Sequence, residues 1–389
     1  MNLKKDRIQD VCPIARRCGG CQHKNLVYNT SLRKKQDTLA RLLSPYVTPD
    51  KIIPSPSPLH YRNKVQAAFG SIGGKTVSGI YQSSERKLIP CEGCLLEDER
   101  ADAIVNTIRE LCPRFSIRAY DMRRGVGFLR HVLVRVAKNT SEIMVVLVTA
   151  RGEFKSERSF VNELVRRHPE ITTVVHNIND TDTPLFLGGE SRTLYGDGYV
   201  RDTLCGLSFR ISAQSFYQVN TEGAEKLYSL AREYAALTGG ERVLDAYCGT
   251  GTIGLTLAGA AREVVGVELN SRAVADAENN AKINGIENAA FVCADAGEYM
   301  SEAALCGEHF DVVVTDPPRA GCSRKFLSSL VKLAPERIVY VSCNPETLAR
   351  DLRLLTSDGY KVTRARGVDM FAFTEHVECV VCLTRRLDK

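Results

Sequence analysis

Hydrophobic positions keep one rhythm up to about residue 200 and another from about residue 240. The first 24 residues show little apolar periodicity and are rich in cysteine and arginine. A helical pattern then runs through "TSLRKKQDTLARLLSPY" and ends at Pro45, before a proline-rich connector, "IIPSPSPLHYR". Four alternating runs, "KVQAAFG", "KTVSGIYQ", "LRHVLVRVA" and "EIMVVLVTA", predict strands. The amphipathic stretches "EDERADAIVNTIRELC" and "SERSFVNELVRRH" predict helices lying on that sheet.

From residue 240 strand and helix alternate: "ERVLDAYCG", "EVVGVELN", "AAFVCAD", "FDVVVTDPP" and "RIVYVSC" are each followed by a polar turn or a helical pattern. That alternation predicts βαβ units and a parallel sheet. The tail offers two strands with no helix between them, "KVTRARGVDMF" and "HVECVVCLTRR", and predicts an antiparallel hairpin at the sheet edge. At 389 residues the chain exceeds one ordinary core. Three units are expected: 1–50, a cysteine-bearing segment and helix; 51–205, a β-rich unit; and 206–389, the α/β unit.

Charge sharpens this division. Residues 1–200 carry 31 Lys+Arg against 21 Asp+Glu, and the remainder 21 against 25. A basic first half on a near-neutral second half fits a polyanion docked at one end, most simply nucleic acid; a solvated basic surface gives the same counts. No run approaches 18 uninterrupted apolar residues and the start, "MNLKKDRIQD", has no apolar core, so the expectation is a cytoplasmic protein without a membrane span. Fourteen cysteines in such a setting point to metal binding or thiol chemistry rather than to disulfides.

"LDAYCGTGTIGL" places Gly249, Gly251 and Gly254 directly after a strand and at the start of a helix. Such a turn lets a ligand approach backbone beneath a helix N-terminus. Glu268 ends the next strand, where a carboxylate meets ribose hydroxyls. Together they predict a nucleoside-containing cofactor without choosing between a dinucleotide and S-adenosylmethionine. "DPPRAG" decides: Asp316 before two prolines forms a rigid bend found in nucleic-acid base methyltransferases and not ordinarily in dehydrogenases. Asp316 is therefore a candidate contact to cofactor or base.

Cys343 ends the next strand in "YVSCNPETLARDL" and precedes a helix whose N-terminus should lower its pKa. Cys293, Cys379 and Cys382 lie in apolar runs and are expected in the core. A thiolate beside an adenosylmethionine site suits one substrate class. Carbon 5 of a pyrimidine is too weak a nucleophile until a thiolate adds at carbon 6; a base must afterwards remove the carbon 5 proton. Glu378, inside the apolar alternation "HVECVV", is the candidate base, with His376 or Glu375 in support.

These motifs, with "SFYQVN", "VVGVEL" and "DMFAFTEHVE", occur in the order of the bacterial RNA (uracil-5-)-methyltransferase family, and the chain most resembles its iron–sulfur branch acting on 23S rRNA. The resemblance implies a Rossmann-like S-adenosylmethionine-dependent methyltransferase domain behind an α+β RNA-binding domain with an iron–sulfur segment. It implies Gln218, Tyr247, Glu268 and Asp316 as adenosylmethionine contacts, Cys343 as nucleophile and Glu378 as base. It further implies Cys12, Cys18, Cys21 and Cys94 as ligands of a [4Fe–4S] cluster. Spacing alone leaves zinc open, and Cys91 is an alternative fourth ligand. "HYRNKVQ" (60–66) and "RRGVGFLRHVLVR" (123–135) resemble stretches that face RNA in the family.

Two departures stand out. Cys12 lies near the start of the sequence, so the expectation is a chain without the small β-barrel module that precedes the cysteines in many relatives, and Ala372 stands where proline is frequent. The expectation is a monomer that methylates carbon 5 of a uridine in 23S rRNA. A tRNA uridine, RNA cytosine-5 methylation or a non-catalytic iron–sulfur RNA-binding protein are the alternatives.

Overall fold

The computed structural model describes residues 12–82, 87–122, 124–181 and 186–386. The amino-terminal decapeptide and Arg123, both used in the sequence reading, lie outside the described residues.

Two sheets dominate. The carboxy-terminal one has eight strands. Its parallel part runs Arg337–Ser342, Val312–Thr315, Arg242–Ala246, Glu263–Glu268, Ala289–Cys293 in spatial order. Each strand is short and apolar, as expected where helices cover both faces. The final strand, Glu378–Arg385, lies antiparallel beside Arg337–Ser342, and Tyr360–Val368 lies antiparallel beside it.

The hairpin does not form the edge that was expected. Asp50–Ile53 adds parallel to Tyr360–Val368 and closes that side. Four residues, "DKII", are too few to signal a strand by periodicity, and the pairing is made only by distant sequence. The helix Tyr28–Leu43 leads into this strand and buries Leu39 and Leu43 in the same core as Leu244, Tyr340 and Leu352.

The second sheet has seven strands: Leu88–Pro90, Lys75–Tyr81, Lys64–Ile72, Leu129–Val136, Ile143–Thr149, Ile171–Ile178 and Glu190–Tyr195 in spatial order. All neighbours are antiparallel except Ile143–Thr149 and Ile171–Ile178, which the helix Glu157–Arg167 connects. That helix and Glu99–Arg114 cover one face, burying Ile104, Ile108, Phe160 and Leu164 on Val132, Val134 and Val145. The stretch 171–212, to which no element was assigned from the sequence, holds four strands among its described residues. Glu190–Tyr195 is solvent-facing along most of its length and so carries no apolar signal.

The other face of the seven-stranded sheet does not meet water. Leu133, Met144, Val146 and Val148 join one continuous core with the hairpin Tyr199–Leu204/Leu207–Ser212, the helix Thr221–Ala235 and Val243, Val312 and Val339 of the large sheet. Asn63 pins the junction. Its buried amide donates to the Gln218 carbonyl (3.0 Å) and to Thr221 Oγ1 (3.0 Å), while its N–H donates to the Val219 carbonyl (2.8 Å). No helix among the described residues is long and apolar enough to cross a membrane.

Candidate active site

The carboxyl ends of the parallel strands open onto a cleft of about 1250 Å³. Gln218, Tyr247, Glu268, Asp316, Cys343 and Glu378 all line it. Six residues drawn from positions 218 to 378 thus converge on one cavity.

The glycine turn forms one wall. Tyr247, Gly249 and Gly251 have φ values of 64°, 54° and 79°, so the backbone reverses in the left-handed region before the helix Thr252–Ala258 starts. A Cβ on Gly254 would lie 2.8 Å from Asp245 Oδ2, which accepts the Gly254 N–H at 2.7 Å. The buried Asp245 therefore ties strand to helix, and its pKa is pushed up to about 7, chiefly by burial. Glu268 accepts from the Gly249 N–H (3.2 Å) and the Asn270 N–H (2.9 Å) and so stands across the turn. Tyr247 stacks on Phe326 with ring centroids 5.0 Å apart.

The opposite wall carries the candidate chemistry. Cys343 ends the strand Arg337–Ser342, and Pro345 opens the next helix. Asn344 caps that helix by accepting from the Glu346 N–H (3.0 Å) and donates to the Arg319 carbonyl (3.2 Å), so the "SCN" and "DPPR" turns are laced together. Asp351 secures the same loop from below by accepting from the Cys322 N–H (2.8 Å) and Tyr340 OH (2.7 Å).

One expectation fails here. The Cys343 thiol is not acidified: burial, then Glu378 and Asp316, push it up to about 11, against smaller lowering by Arg319 and the local backbone. Two nearby carboxylates and lost hydration outweigh one helix terminus. Glu378 is buried and its pKa is raised, first by burial and then by Asp316, with Arg319 opposing. Asp316 is likewise raised by burial.

Of the supporting candidates, His376 lines the cleft and is held neutral, chiefly by burial and then by Arg319. Glu375 is exposed and does not line the cleft. Cys379 and Cys382 are buried as expected, but Cys293 is exposed because Ala289–Cys293 is the sheet's other edge strand.

Three arginines line the cleft without having been site candidates from the sequence: Arg62, Arg272 and Arg319. Arg319 was legible as the cation directly after two prolines. Arg62 lay inside "HYRNKVQ", where the expectation was a strand facing RNA. That stretch is instead largely wall: Tyr61 and Asn63 are buried and only Arg62 turns to the cleft. Similarly Arg130 and Arg135 are buried, bonded to the carbonyls of Asn179 and Ser215. Arg124, by contrast, is exposed.

Cys12, Cys18, Cys21 and Cys94 lie in one region, near enough that Cys94 and Cys12 raise the pKa of both Cys18 and Cys21. Burial, then the Cys94 and Cys18 sulfurs, push Cys21 up to about 12. The Glu97 N–H donates to the Cys94 carbonyl (3.2 Å), and the backbone at Gly20 acts to lower the Cys18 pKa against burial. Cys91 donates to Cys94, whose pKa falls to about 6 mainly for that reason. Among the described residues, however, no group of three or more His, Cys, Asp or Glu side chains is disposed as a metal site.

Comparison with known proteins gives a consistent result. Residues 195–386 match the family model of tRNA (uracil-5-)-methyltransferases. An uncharacterized RNA methyltransferase of Halalkalibacterium halodurans is 40% identical over 97% of this chain and 84% of its own length. Another, from Bacillus cereus, is 39% identical over 96% and 82%. The Pyrococcus abyssi tRNA (uracil-54, C5)-methyltransferase, solved with S-adenosyl-L-homocysteine, superimposes with a TM-score of 0.77 at 28% identity, covering 94% of this chain and 86% of that one. With its α/β adenosylmethionine-dependent methyltransferase fold, the chain belongs to the RNA (uracil-5-)-methyltransferase family.

Proposed function

We propose that the protein transfers a methyl group from S-adenosylmethionine to carbon 5 of a uridine in 23S rRNA. The observation that supports this most is that Cys343 and Glu378 line the same cleft as the glycine turn and Glu268. Gln218, Tyr247, Glu268 and Asp316 hold the cofactor, which supplies an electrophilic methyl group on a sulfonium.

Cys343 gives up its thiol proton to solvent and adds as thiolate through Sγ to carbon 6 of the uracil; carbon 5, now enolate-like, takes the methyl group as the sulfonium carbon–sulfur bond breaks and S-adenosylhomocysteine leaves. Glu378 then removes the carbon 5 proton, the carbon 6–sulfur bond breaks, and Cys343 leaves as thiolate. Burial serves both roles: it keeps the Cys343 thiol protonated at rest and makes Glu378 a stronger base than an ordinary carboxylate. Arg319 favours the ionised form of each, which suits it to the adduct-forming step. The target base has to leave its stack to reach Cys343.

In this reading residues 206–389 form the methyltransferase domain, 51–205 the RNA-facing domain and 1–50 the cysteine-bearing segment. The protein acts in the cytoplasm as a monomer. Cys12, Cys18, Cys21 and Cys94 would hold a [4Fe–4S] cluster. The donor set is of the right type: all four cysteines are free thiols, half-buried and unpaired in any disulfide. Such a group would staple an otherwise poorly periodic segment; no catalytic step is assigned to it. Anaerobically purified protein should carry visible absorbance and about four irons per chain; stoichiometric zinc would replace this assignment.

A second reading, a tRNA substrate, is favoured by the structural likeness to the Pyrococcus abyssi tRNA enzyme. One experiment separates the alternatives. Labelled adenosylmethionine is incubated with protein and unmodified rRNA or tRNA, and the product nucleoside is identified. 5-Methyluridine in 23S rRNA is expected; label in tRNA selects the second reading. 5-Methylcytidine, or no transfer by folded, cofactor-binding protein, contradicts both.

A further inference from the structure

Glu378 is reached through the segment 369–377, which joins two paired strands and begins just after the pair Val368–Glu378. Phe371 and His376 of this segment line the cleft beside Glu378. Its conformation is not one the local sequence would choose. Phe373 has φ 61°, in the left-handed region that a bulky residue rarely enters.

The first five residues of the segment are held from outside. The carbonyl of Met370 accepts from Asn220 Nδ2 (2.9 Å), that of Phe371 from Lys35 Nζ (2.9 Å), that of Ala372 from Tyr61 OH (3.3 Å) and that of Phe373 from the His23 N–H (2.9 Å). Three of these four donors come from residues 23–61. The anchor is Asp369, whose two oxygens are divided between Lys35 Nζ (2.5 Å) and Tyr28 OH (2.8 Å). Both charged side chains of that pair are wholly inaccessible to solvent. Asp369 also donates its N–H to the Ile53 carbonyl (2.9 Å).

A buried ion pair is weak evidence for stability, because desolvation cancels much of the attraction; where one persists, it can serve to fix a conformation. Here the conformation fixed is that of a segment carrying cleft residues. Lys35 is the hinge of the arrangement, since one ammonium binds both the Asp369 carboxylate and the Phe371 carbonyl.

We infer that Lys35, Asp369 and Tyr28 are positioning residues that set the 369–377 segment so that Glu378 meets the proton on carbon 5 of the substrate base. This rests on the uridine-5 methylation reading and deepens it. The amino-terminal helix thereby becomes part of the release half of the reaction, after sulfur addition and methyl transfer. Cys343 sits on a different turn, which Asn344 laces to the Arg319 carbonyl, and is expected to keep its place when the anchor is removed.

That division gives the test. On RNA containing 5-fluorouridine, carbon 5 carries no removable proton, so formation of the covalent protein–RNA adduct reports Cys343 addition and methyl transfer alone. Turnover on ordinary uridine RNA reports release as well. Full-length Asp369→Asn, Lys35→Met and Tyr28→Phe proteins are compared with wild type on both RNAs, using unmodified rRNA and tRNA, after titration with S-adenosylhomocysteine to count folded sites.

Asp369→Asn and Lys35→Met should form the fluorinated adduct within about threefold of the wild-type rate. Their turnover on uridine RNA should fall more than about tenfold, with a denaturant-stable adduct accumulating. Tyr28→Phe, which keeps the charge pair, should show the same split at smaller size. Parallel loss of both rates per folded site, or unchanged turnover, overturns the inference while leaving the chemistry intact. Should Asp369→Asn and Lys35→Met not fold, Tyr28→Phe decides by the same criterion. Failure of the wild-type protein to form any adduct with 5-fluorouridine RNA removes the reading and the inference together.

Discussion

At the scale of single residues, the cleft spends stability on reactivity. Glu378 and Asp316 are buried carboxyls whose folded-state pKa values are raised, mainly by lost hydration. A carboxyl with a raised pKa favours folding below its unfolded value, and that contribution is lost as pH rises through the folded value. Glu378→Gln should therefore match wild-type stability near pH 4 and become progressively more stable than wild type as pH rises toward 8, while losing turnover. Thermal unfolding at several pH values checks this; a variant equally or less stable across the range would contradict it. Activity should run the other way. Thiolate at Cys343 and carboxylate at Glu378 both grow with pH, so the single-turnover rate should climb on the alkaline side of neutrality. Arg319 favours both ionised forms, and Arg319→Met should shift that rise to higher pH rather than only lower its plateau. A pH–rate profile with an unmoved limb would remove Arg319 from the ionisation account.

At the scale of elements, the turns around the cleft are built for close approach. Gly254 has no room for a methyl group: its Cβ would meet Asp245 Oδ2 at 2.8 Å and Val264 at 3.1 Å. Gly254→Ala should cost about 1–3 kcal/mol of stability by overpacking and should weaken S-adenosylhomocysteine binding by moving the first turn of the helix. Calorimetric titration checks the second part. Glycines, the "DPP" bend and the strand-end cysteine were legible because each depends on neighbours within a few residues. What stayed hidden depends on distant chain. "DKII" is a strand only because Tyr360–Val368 offers an edge, and Glu190–Tyr195 only because Ile171–Ile178 does. The pKa of Cys343 was misjudged for the same reason, since Glu378 and Asp316 approach it from other strands. Asp369 opens the motif "DMFAFTEHVE", yet its partner Lys35 lies 334 residues away, in a helix that reads as an ordinary amphipathic surface.

At the scale of the whole molecule, the two sheets share a core. Leu133, Met144 and Val146 of one sheet and Val243, Val312 and Val339 of the other belong to a single apolar cluster, with Asn63 fastening the seam at Gln218, Val219 and Thr221. Unfolding should accordingly appear as one calorimetric transition, raised as a unit by S-adenosylhomocysteine; two separable transitions, of which only one responds, would show independent domains. Asn63→Ala should lower that transition, by about 1–3 kcal/mol for the partners left unpaired, and should also disturb Gln218 in the cleft. This architecture explains why a basic amino-terminal half and a cofactor-binding carboxy-terminal half serve one site: Arg62 enters the cleft from the first and Arg319 from the second. The most direct measurement is made on that site. Wild-type and Cys343→Ala proteins are incubated with labelled S-adenosylmethionine and 5-fluorouridine RNA, and the protein is digested and analysed by mass spectrometry. The account predicts a methylated nucleotide bonded to the peptide containing Cys343, and neither adduct nor methylated uridine from the alanine variant on any RNA. Methyl transfer to uridine by Cys343→Ala at an undiminished rate would contradict it.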